Sequence, residues 1–396
     1  MSRQRTDVAI QGAGMVGLFA ALRLARAGLS VSVLDAERPP VWRGRGGEYR
    51  QRVSALNRHT EALLDADGVW AAMAAARVSP FRAITAEDAA GGGRVHFDAA
   101  EVGEPHLGHI VENDLVRAML ARACREAGVH FSVPGAVQGW AEEESALILD
   151  LGEGRQLQTG LLVGADGAGS AIREQAGIAV DHRGYGQRAI VAAVETGEPH
   201  GETARQRFLA GGPVAFLPLA DGRCSIVWSL PESEAEAILR LEDAAFVEVL
   251  NEAAGSLVGG VTGSGPRGAF PLHRLHARRY IAERVALVGD AAHVIHPLAG
   301  QGANLGFRDA ETLAAEVAAA RERGRDPGGT AVLRRFERAR RGDNLAVQAA
   351  MEAFHQAFTR GEAPLVALRS LGFNLTDRLP PLKHAFMRLA MGRALG

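Results

Sequence analysis

The strongest constraint on the fold is a group of glycines that follows the first predicted strand. Residues 7–10 are apolar enough for a buried strand, and Gly12, Gly14 and Gly17 come directly after it, spaced Gly-x-Gly-x-x-Gly. In this pattern the first glycine permits a tight turn, the second lets the backbone approach a pyrophosphate, and the third allows close helix–strand packing. The pattern predicts a parallel α/β unit with a dinucleotide at the start of its helix.

The residues downstream of these glycines support the same interpretation. A helical pattern ends at Gly28, and a second strand, residues 31–34, leads to Asp35, 18 residues after Gly17. A carboxylate at this place can accept hydrogen bonds from ribose hydroxyls. Since strand, glycines, helix, strand and acid stand in order, we predict a set of dinucleotide contacts: Gly12, Ala13, Gly14, Met15, Val16, Gly17, Asp35 and Ala36.

Two further strands end in an acid. Residues 161–164 form a buried-type strand before Asp166, and residues 285–288 form another before Gly289-Asp290. Both place a carboxylate at the carboxyl edge of a sheet, where α/β folds bind ligands. Turns of this composition also occur without any ligand, so a purely structural turn remains the alternative for each.

A loop with Pro297, Gly300 and Gly302 follows Asp290, and a helical pattern begins at Ala303. Glycines at a helix start let backbone N–H groups come close to an anionic or electron-rich ring. They also serve simple turns. The sequence leaves two interpretations here, a plain helix entry or a site for a flat, partly anionic cofactor with Asp290 on its hydroxyls.

The composition excludes several other classes of function. The 396 residues are 47% hydrophobic and 23% charged, with a net charge of −2, which gives no whole-protein argument for nucleic acid binding. The two cysteines predict neither a metal cluster nor a disulfide framework, so we expect no metal site and a reducing compartment. No signal-peptide core or run of about 20 apolar residues is present, which predicts a cytoplasmic, soluble or peripheral protein.

Three motifs stand in order along nearly the whole chain: Gly12-x-Gly14-x-x-Gly17 with Asp35, Asp166-Gly167-x-x-Ser170-x-x-Arg173, and Gly289-Asp290 with Pro297-x-x-Gly300-Gln301-Gly302. Together they resemble the single-component flavin-dependent aromatic monooxygenases, which fold like p-hydroxybenzoate hydroxylase. Residues 52–56, 108–113, 224–230 and 296–302 look more narrowly like the ubiquinone-biosynthesis hydroxylases, above all those that act on C5 of the polyprenylphenol ring. No motif indicates which ring carbon is attacked.

The resemblance implies an α/β fold: a Rossmann-like FAD-binding domain, an inserted antiparallel-sheet substrate domain and a helical C-terminal tail. Strand-length segments between residues 184 and 265, with one helix at 235–250, fit the inserted sheet. We assign residues 1–75, 106–181 and 267–350 to the FAD-binding domain, 76–105 and 182–266 to the substrate domain, and 351–396 to the tail.

The resemblance also implies FAD as the cofactor and NAD(P)H as the co-substrate. The first motif is expected to hold the ADP half, the Asp166 motif the pyrophosphate and NAD(P)H, and the Gly289-Asp290 motif the ribityl chain. Arg52 is either a cofactor contact or a solvated charge, and Glu112 precedes a predicted helix where polar contacts are favourable. The further predicted cofactor contacts are Arg52, Glu112, Asp166, Gly289, Asp290, Pro297, Gly300, Gly302, Ala303 and Asn304.

The expected reaction is hydroxylation of a polyprenylated phenol with O₂ through a C4a-hydroperoxyflavin in a water-poor pocket. His296 is the candidate for a catalytic group, although a buried structural histidine is the plainer interpretation; Tyr185 and His109 are weaker candidates. The substrate layer is expected to contain Phe208, Phe216, Leu217 and Trp228. The alternatives are a hydroxylase of a soluble aromatic acid and a non-catalytic flavoprotein scaffold.

The C-terminal tail is both basic and apolar. From residue 363 to 396, a single acid, Asp377, accompanies five cations, interleaved with leucines and phenylalanines: Arg369, Arg378, Lys383, Arg388 and Arg393. This pattern is typical of an interfacial amphipathic helix, and equally of a packed surface helix. We expect peripheral contact with the inner face of the membrane, with packing on the cofactor domain or docking on other ubiquinone-biosynthesis proteins as alternatives.

Overall fold

The computed structural model describes residues 4–42, 49, 51–296, 300–359 and 363–392. Its strands are, in chain order, β1 (Gln4–Gln11), β2 (Val31–Leu34), β3 (Val53–Asn57), β4 (Val78–Phe81), β5 (Ala83–Asp88), β6 (Arg94–Asp98), β7 (Gly108–Glu112), β8 (His130–Ser132), β9 (Gly139–Glu143), β10 (Ala146–Asp150), β11 (Gln156–Gly164), β12 (Val180–Thr196), β13 (Thr203–Leu209), β14 (Gly212–Pro218), β15 (Cys224–Pro231), β16 (Val261–Ser264), β17 (Gly268–Ala277), β18 (Ile281–Ala282), β19 (Val285–Leu287) and β20 (His293–Val294).

The α-helices are α1 (Met15–Arg26), α2 (Arg58–Ala66), α3 (Trp70–Arg77), α4 (Asn113–Glu126), α5 (Ala171–Gln175), α6 (Glu232–Leu239), α7 (Asp243–Ala254), α8 (Gly302–Glu322), α9 (Thr330–Thr359), α10 (Ala363–Arg378) and α11 (Pro380–Ala390). Two short 3₁₀ helices cover Ala99–Val102 and Gly289–Ala291. None of the helices in the described part of the chain is long and apolar enough to cross a membrane.

One sheet brings the three motifs together. Its main strand order is β18-β19-β11-β1-β2-β8, with β10 and β9 added beside β11. The pairs β1–β2, β1–β11 and β11–β19 are parallel. Because the carboxyl ends of parallel strands meet at one edge, the turns that follow β1, β11 and β19 are neighbours. The predicted Rossmann-like unit is confirmed.

A second, nine-stranded sheet has the main order β20-β17-β12-β15-β14-β13-β5-β6, with β16 beside β12. It joins β5 and β6 to the strands of residues 180–231, and it also includes β17 and β20, so the sheet continues past the predicted boundary at residue 267. Its pairs are antiparallel except for β5–β13, which is parallel. The boundaries of the two domains remain a prediction.

The single helix predicted at 235–250 is wrong, because the segment forms two helices, α6 and α7. Arg267 explains the break between them. Its guanidinium donates to the carbonyl of Leu241 at 2.7 Å and to the carboxylate of Asp243 at 2.8 Å, which holds the linking turn open. A side chain distant in sequence supplies these bonds, so local periodicity could not predict the break.

The largest core lies between the parallel sheet and helices α1 and α8. Phe19 of α1 and Phe307 of α8 are fully buried and meet edge to face, with ring centroids 5.1 Å apart. Burying one such side chain contributes about 1.5–3 kcal/mol. This contact joins the helix of the first motif to the helix of the third.

Helices α10 and α11 pack against β6, α9 and the 3₁₀ helix at Ala99–Val102. The predicted interruption at Pro380-Pro381 is confirmed, since α10 ends at Arg378 and α11 begins at Pro380, a position that tolerates a missing N–H. At the far end of α11, Arg308 donates to the carbonyl of Gly392 at 2.6 Å. The tail is therefore tied to α8 as well as to the second sheet.

Candidate functional site

A chamber of about 1130 Å³ lies where the motif turns of the first sheet face the second sheet. The predicted site residues on its wall are Gly14, Met15, Val16, Arg52, Asp290, Gly300, Gly302, Ala303 and Asn304. Gly12, Ala13, Gly17, Asp35, Ala36, Glu112, Asp166, Gly289 and His296 lie outside its lining. Pro297 lies outside the described residues.

The three glycines of the first motif have different surroundings. Gly12 has φ +114°, and a Cβ there would lie 2.3 Å from the carbonyl oxygen of Ala165, while a Cβ at Gly17 would lie 2.1 Å from that of Gly12. A Cβ at Gly14 would meet nothing within 4 Å. Gly12 and Gly17 therefore serve close packing, whereas Gly14 faces open space in the chamber beside the N-terminus of α1, where a phosphate is favoured.

Asp35 stands beside this turn, at the end of β2. Its Oδ2 accepts from the Ala13 N–H at 2.5 Å, and its Oδ1 accepts from the Glu37 N–H at 2.9 Å. The carboxylate thus braces the glycine turn from behind and remains partly exposed, while Ala36 is exposed beyond it.

The second motif supports the chamber mainly from outside. Asp166 accepts from the Ile172 N–H at 3.2 Å through Oδ2, and its buried Oδ1 has no hydrogen-bond partner among the described residues. Arg173 is buried and donates to the carbonyls of Ala168 at 2.8 Å and Ala291 at 2.9 Å. Arg173 therefore joins the second motif to the third.

The third motif begins where β19 ends. Gly289 adopts φ +60°, a conformation that favours glycine, and the Asp290 side chain points into the chamber. The protein encloses most of the Asp290 carboxyl group, and the side of the group that stays open faces the chamber. Burial raises the pKa of Asp290, and the neighbouring side chains of His293, Arg52 and His273 oppose this rise.

Helix α8 directs its N-terminus at the chamber, with Gly300 at φ +61° just before it. The Asn304 side chain is used within the protein: Oδ1 accepts from the Asn57 N–H at 3.0 Å, and Nδ2 donates to the carbonyl of Ala55 at 2.8 Å. The first N–H groups of a 21-residue helix lack intrahelical partners and carry a partial positive charge. They suit an electron-rich ring or an anion.

Glu112 is a poor candidate for direct contact with a ligand in the chamber. Its carboxylate is 1% exposed and binds Arg77, with Oε2 2.8 Å from Nε and 2.7 Å from Nη2. The neighbouring helix α4 instead presents Asn113 and Arg117 to the chamber. Sequence reasoning missed these two, although their spacing of four residues on a helix predicts a shared face. Arg52 does line the chamber, with its guanidinium over the ring of Phe270.

His296 is buried behind the chamber wall. Its ring centroid lies 4.9 Å from that of Tyr185 and 4.6 Å from that of His355, and neither ring nitrogen has a hydrogen-bond partner among the described residues. Burial, with the neighbouring His355, lowers the pKa of His296 to about 3, so the ring is neutral near pH 7. Tyr185 donates to Glu352 at 2.8 Å, and His109 lies 3.4 Å from Glu61. His273, which was not predicted, lines the chamber.

One part of the chamber wall is aromatic. The Phe208 and Phe358 rings lie 4.1 Å apart, and Phe373 of α10 and Phe386 of α11 complete the wall. Phe208 and Leu217 line the chamber as predicted for a substrate layer. Phe216 and Trp228 do not, because alternate residues of a strand point to opposite faces and these two are packed in the core beneath α6 and α7.

These features fit an elongated cofactor that carries a diphosphate, hydroxyl groups and a flat ring. Open space at Gly14, two helix N-termini and the Asp290 carboxylate lie along one wall, and Asp166 keeps a buried oxygen without a described partner beside it. The diphosphate suits the N-terminus of α1 and the ring that of α8. FAD has this chemistry.

Comparison with known proteins agrees with a site for FAD. A family model described as "FAD binding domain" matches residues 5–350. A ubiquinone hydroxylase of Rhodospirillum rubrum is 38% identical, over 98% of this chain and 89% of its own length. The 3-demethoxyubiquinol 3-hydroxylase of Escherichia coli is 36% identical, over 99% and 100%, and a mitochondrial ubiquinone biosynthesis monooxygenase of Danio rerio is 33% identical, over 97% and 89%.

Solved structures support the fold. The p-nitrophenol 4-monooxygenase of Pseudomonas putida superposes with a TM-score of 0.80 at 19% identity, covering 99% of this chain and all of that one. A Pseudomonas aeruginosa protein solved in complex with 2-aminobenzoylacetate gives 0.79 at 22% identity, covering 93% of this chain and all of that one. The chain therefore belongs to the FAD-binding domain family, in the group of flavin-dependent monooxygenases that includes these ubiquinone-biosynthesis hydroxylases.

Proposed function

We propose that this enzyme hydroxylates the aromatic ring of a polyprenylated phenol in ubiquinone biosynthesis, with FAD as cofactor and NAD(P)H and O₂ as co-substrates. One observation supports the substrate class: the chamber that the flavin motifs line is also lined by Phe208, Phe358, Phe373 and Phe386, an apolar wall that we call the apolar arm. A soluble aromatic acid has no use for such an arm, whereas an isoprenoid chain gains about 25 cal/mol for each Å² of apolar surface removed from water there.

The cofactor site is assigned to the residues predicted from the three motifs, with Glu112 removed and Asn113 and Arg117 added. FAD, when bound, would supply the oxygen-activating chemistry. The N–H groups at the start of α8 would stabilise negative charge on the flavin ring. Asp290 would accept hydrogen bonds from the ribityl hydroxyls, and Gly14 would leave room for the pyrophosphate.

The apolar arm orients the phenol by holding its chain and keeps water away from the reacting atoms. The rings of His296, Tyr185 and His355 contact one another and do not line the chamber, although Ile295, the neighbour of His296 in sequence, does. His296 stays our candidate for a group that affects proton transfer near the reacting atoms. Because His296 does not line the chamber, it acts through other residues and not by direct contact with the substrate.

The test is oxygen incorporation by the purified, FAD-loaded enzyme. We expect NAD(P)H oxidation to be stimulated by a short-chain prenylphenol, with one oxygen atom added to the ring as detected by mass spectrometry. Hydroxylation of p-hydroxybenzoate in its place would establish the soluble-acid alternative. If the protein binds FAD but no quinol precursor stimulates its oxidation of NAD(P)H, the scaffold alternative would be established.

The tail presents an apolar row to the outside, and we assign this row to the bilayer that dissolves the substrate. Its exposed side chains are Leu368, Leu371, Leu375, Leu379, Leu382 and Phe386, from 39% to 67% exposed. Phe386 also lines the chamber, so the row is continuous with the apolar arm. An isoprenoid chain can then pass from lipid to chamber without crossing water.

The charges of the tail differ from the sequence-based prediction. Arg369 and Lys383 are not available to lipid, since Arg369 binds Asp88 and Lys383 binds Glu101 at 2.8 Å. Arg378 and Arg388 are exposed, and Arg393 lies outside the described residues. Apolar contact therefore carries most of the proposed attachment, which we place at the cytoplasmic face of the inner membrane. Docking of another ubiquinone-biosynthesis protein on the same row is the competing outcome.

A further inference from the structure

A buried carboxylate lies directly beneath the Gly289–Asp290 turn. Asp309 of α8 is 0% exposed and is surrounded by four donors. Its Oδ2 accepts from the Gly289 N–H at 3.1 Å and contacts Nε2 of His293 at 2.5 Å. Its Oδ1 accepts from Nε of Arg340 at 2.9 Å and from Nδ2 of Asn344 at 3.0 Å.

A carboxylate in this place is costly unless it is paired and fully hydrogen-bonded. Burial alone would raise the pKa of Asp309, but His293 and Arg340 hold it below its usual range, so the group is an anion. The negative charge of Asp309 also acts to raise the pKa values of His276 and Tyr280. The anion therefore fixes the positions of Gly289 and His293 at once.

Both of these residues act on Asp290. Gly289 precedes it in the turn, and the Gly289 N–H bond sets the path of the backbone into that turn. His293 begins β20, directly after the turn, so its contact with Asp309 fixes the other end of the segment that carries Asp290. Asp309 therefore holds the chamber carboxylate from both sides of the turn, while it stays outside the chamber itself.

We propose that Asp309 is a positioning residue for the flavin site: its bonds to Gly289 and His293 hold both ends of the turn that carries Asp290, so that the Asp290 carboxylate faces the hydroxyl groups of FAD. This inference rests on the assignment of Asp290 to the cofactor. It does not depend on which phenol is the substrate.

The experiment measures FAD affinity and apoprotein stability in Asp309→Asn and in a matched control, Asp343→Asn. Asp343 binds the same Arg340 at 3.2 Å but is 65% exposed and has no described bond to the turn. We expect the Kd for FAD to rise at least tenfold in Asp309→Asn and to stay within twofold in Asp343→Asn. Equal Kd values in the two folded variants overturn the inference, whatever happens to their melting temperatures.

A second variant covers the case in which Asp309→Asn fails to fold. His293→Ala removes the contact that Asp309 makes on the far side of the turn. The Kd for FAD should then rise, as in Asp309→Asn. An unchanged Kd for FAD in folded His293→Ala overturns the inference. An unchanged Kd in Asp290→Ala overturns the assignment of the turn to FAD, and the inference with it.

Discussion

Arg369 of α10 and Asp88 at the end of β5 form a buried ion pair that holds the C-terminal helices on the second sheet. Their closest atoms are 2.8 Å apart, and the two side chains are 8% and 0% exposed. Ser370 also donates to Asp88 at 2.8 Å, and a Cβ on Gly93 would lie 2.6 Å from Cα of Ser370. The helix backbone therefore rests directly on the turn between β5 and β6, and the apolar arm of the chamber depends on this contact for its outer wall.

Replacing Asp88 by Asn should lower the free energy of unfolding by about 3–5 kcal/mol, because Arg369 keeps its buried charge without a counterion. Thermal or denaturant unfolding measures the loss. Arg82→Gln is the control, since Arg82 and Glu202 form an exposed pair and such pairs contribute about 0–1 kcal/mol. Similar losses in both variants would contradict the role of the buried pair.

Acid should weaken the same contact. Burial would raise the pKa of Asp88, but Arg369 and Ser370 hold it below the usual value. A carboxyl with a depressed folded-state pKa contributes stability that is fully present above the unfolded value, near pH 4, and is lost as the pH falls through the folded value. We expect this part of the acid-induced loss of stability to be absent in Asp88→Asn.

Replacing Asp290 by Ala should weaken FAD binding by about 10- to 100-fold, since a hydrogen bond to a charged group contributes about 1.5–3 kcal/mol. Titration of the apoprotein with FAD, followed by flavin fluorescence, gives the Kd. The melting temperature of the apoprotein should change little, because the carboxylate faces the chamber. An FAD affinity equal to that of the parent would remove Asp290 from the site.

Gly14→Val should lose FAD binding, whereas Gly12→Ala should lose stability. A Cβ at position 14 would meet nothing within 4 Å, so the apoprotein should fold, yet FAD should not bind because the valine occupies the space of the pyrophosphate. At position 12 even a Cβ collides with the Ala165 carbonyl, so stability itself should fall. Full flavin occupancy in folded Gly14→Val would show that the pyrophosphate lies elsewhere.

The burial of His296 predicts how the stability of the protein depends on pH. Its pKa is lowered to about 3 by burial, while the unfolded value is about 6.5, so unfolding takes up a proton between these two values. Stability is then lost as the pH falls below about 6.5, by up to about 1.4 kcal/mol per pH unit. His296→Gln should show a shallower dependence. The same variant, if it hydroxylates substrate at the parental rate, ends the candidacy of His296 as a functional residue.

The exposed row of the tail can be tested without removing the wall of the chamber. Leu371→Glu/Leu375→Glu replaces two side chains that are 61% and 47% exposed, and Leu345→Glu on α9, 39% exposed, is the control. We expect the double variant to lose most of its cosedimentation with anionic liposomes and the control to keep it. Equal pelleting of parent and double variant, or pelleting of neither, would exclude the row as the membrane contact.

Sequence alone determined the parts of this protein that depend on local pattern. Gly12, Gly14 and Gly17 with Asp35 specified a parallel unit and the side on which it binds, because strand, turn and helix in that order leave little conformational choice. The acids that end β11 and β19 predicted the same edge, and the motif spacing identified the family. Asp290 and the start of α8 needed no contact from distant residues to be recognised as site candidates.

Only the tertiary structure decided which side chains that are distant in the sequence pair with each other. Glu112 was expected at the cofactor but binds Arg77, and Arg369 was expected at the membrane but binds Asp88, because a buried charge takes the partner that the fold brings to it. The same reason explains Asp309, which has no local signature and acquires its importance only when β20, α9 and the Gly289 turn surround it. A one-dimensional pattern records which residues carry charge, whereas their pairing depends on contacts between segments far apart in the chain.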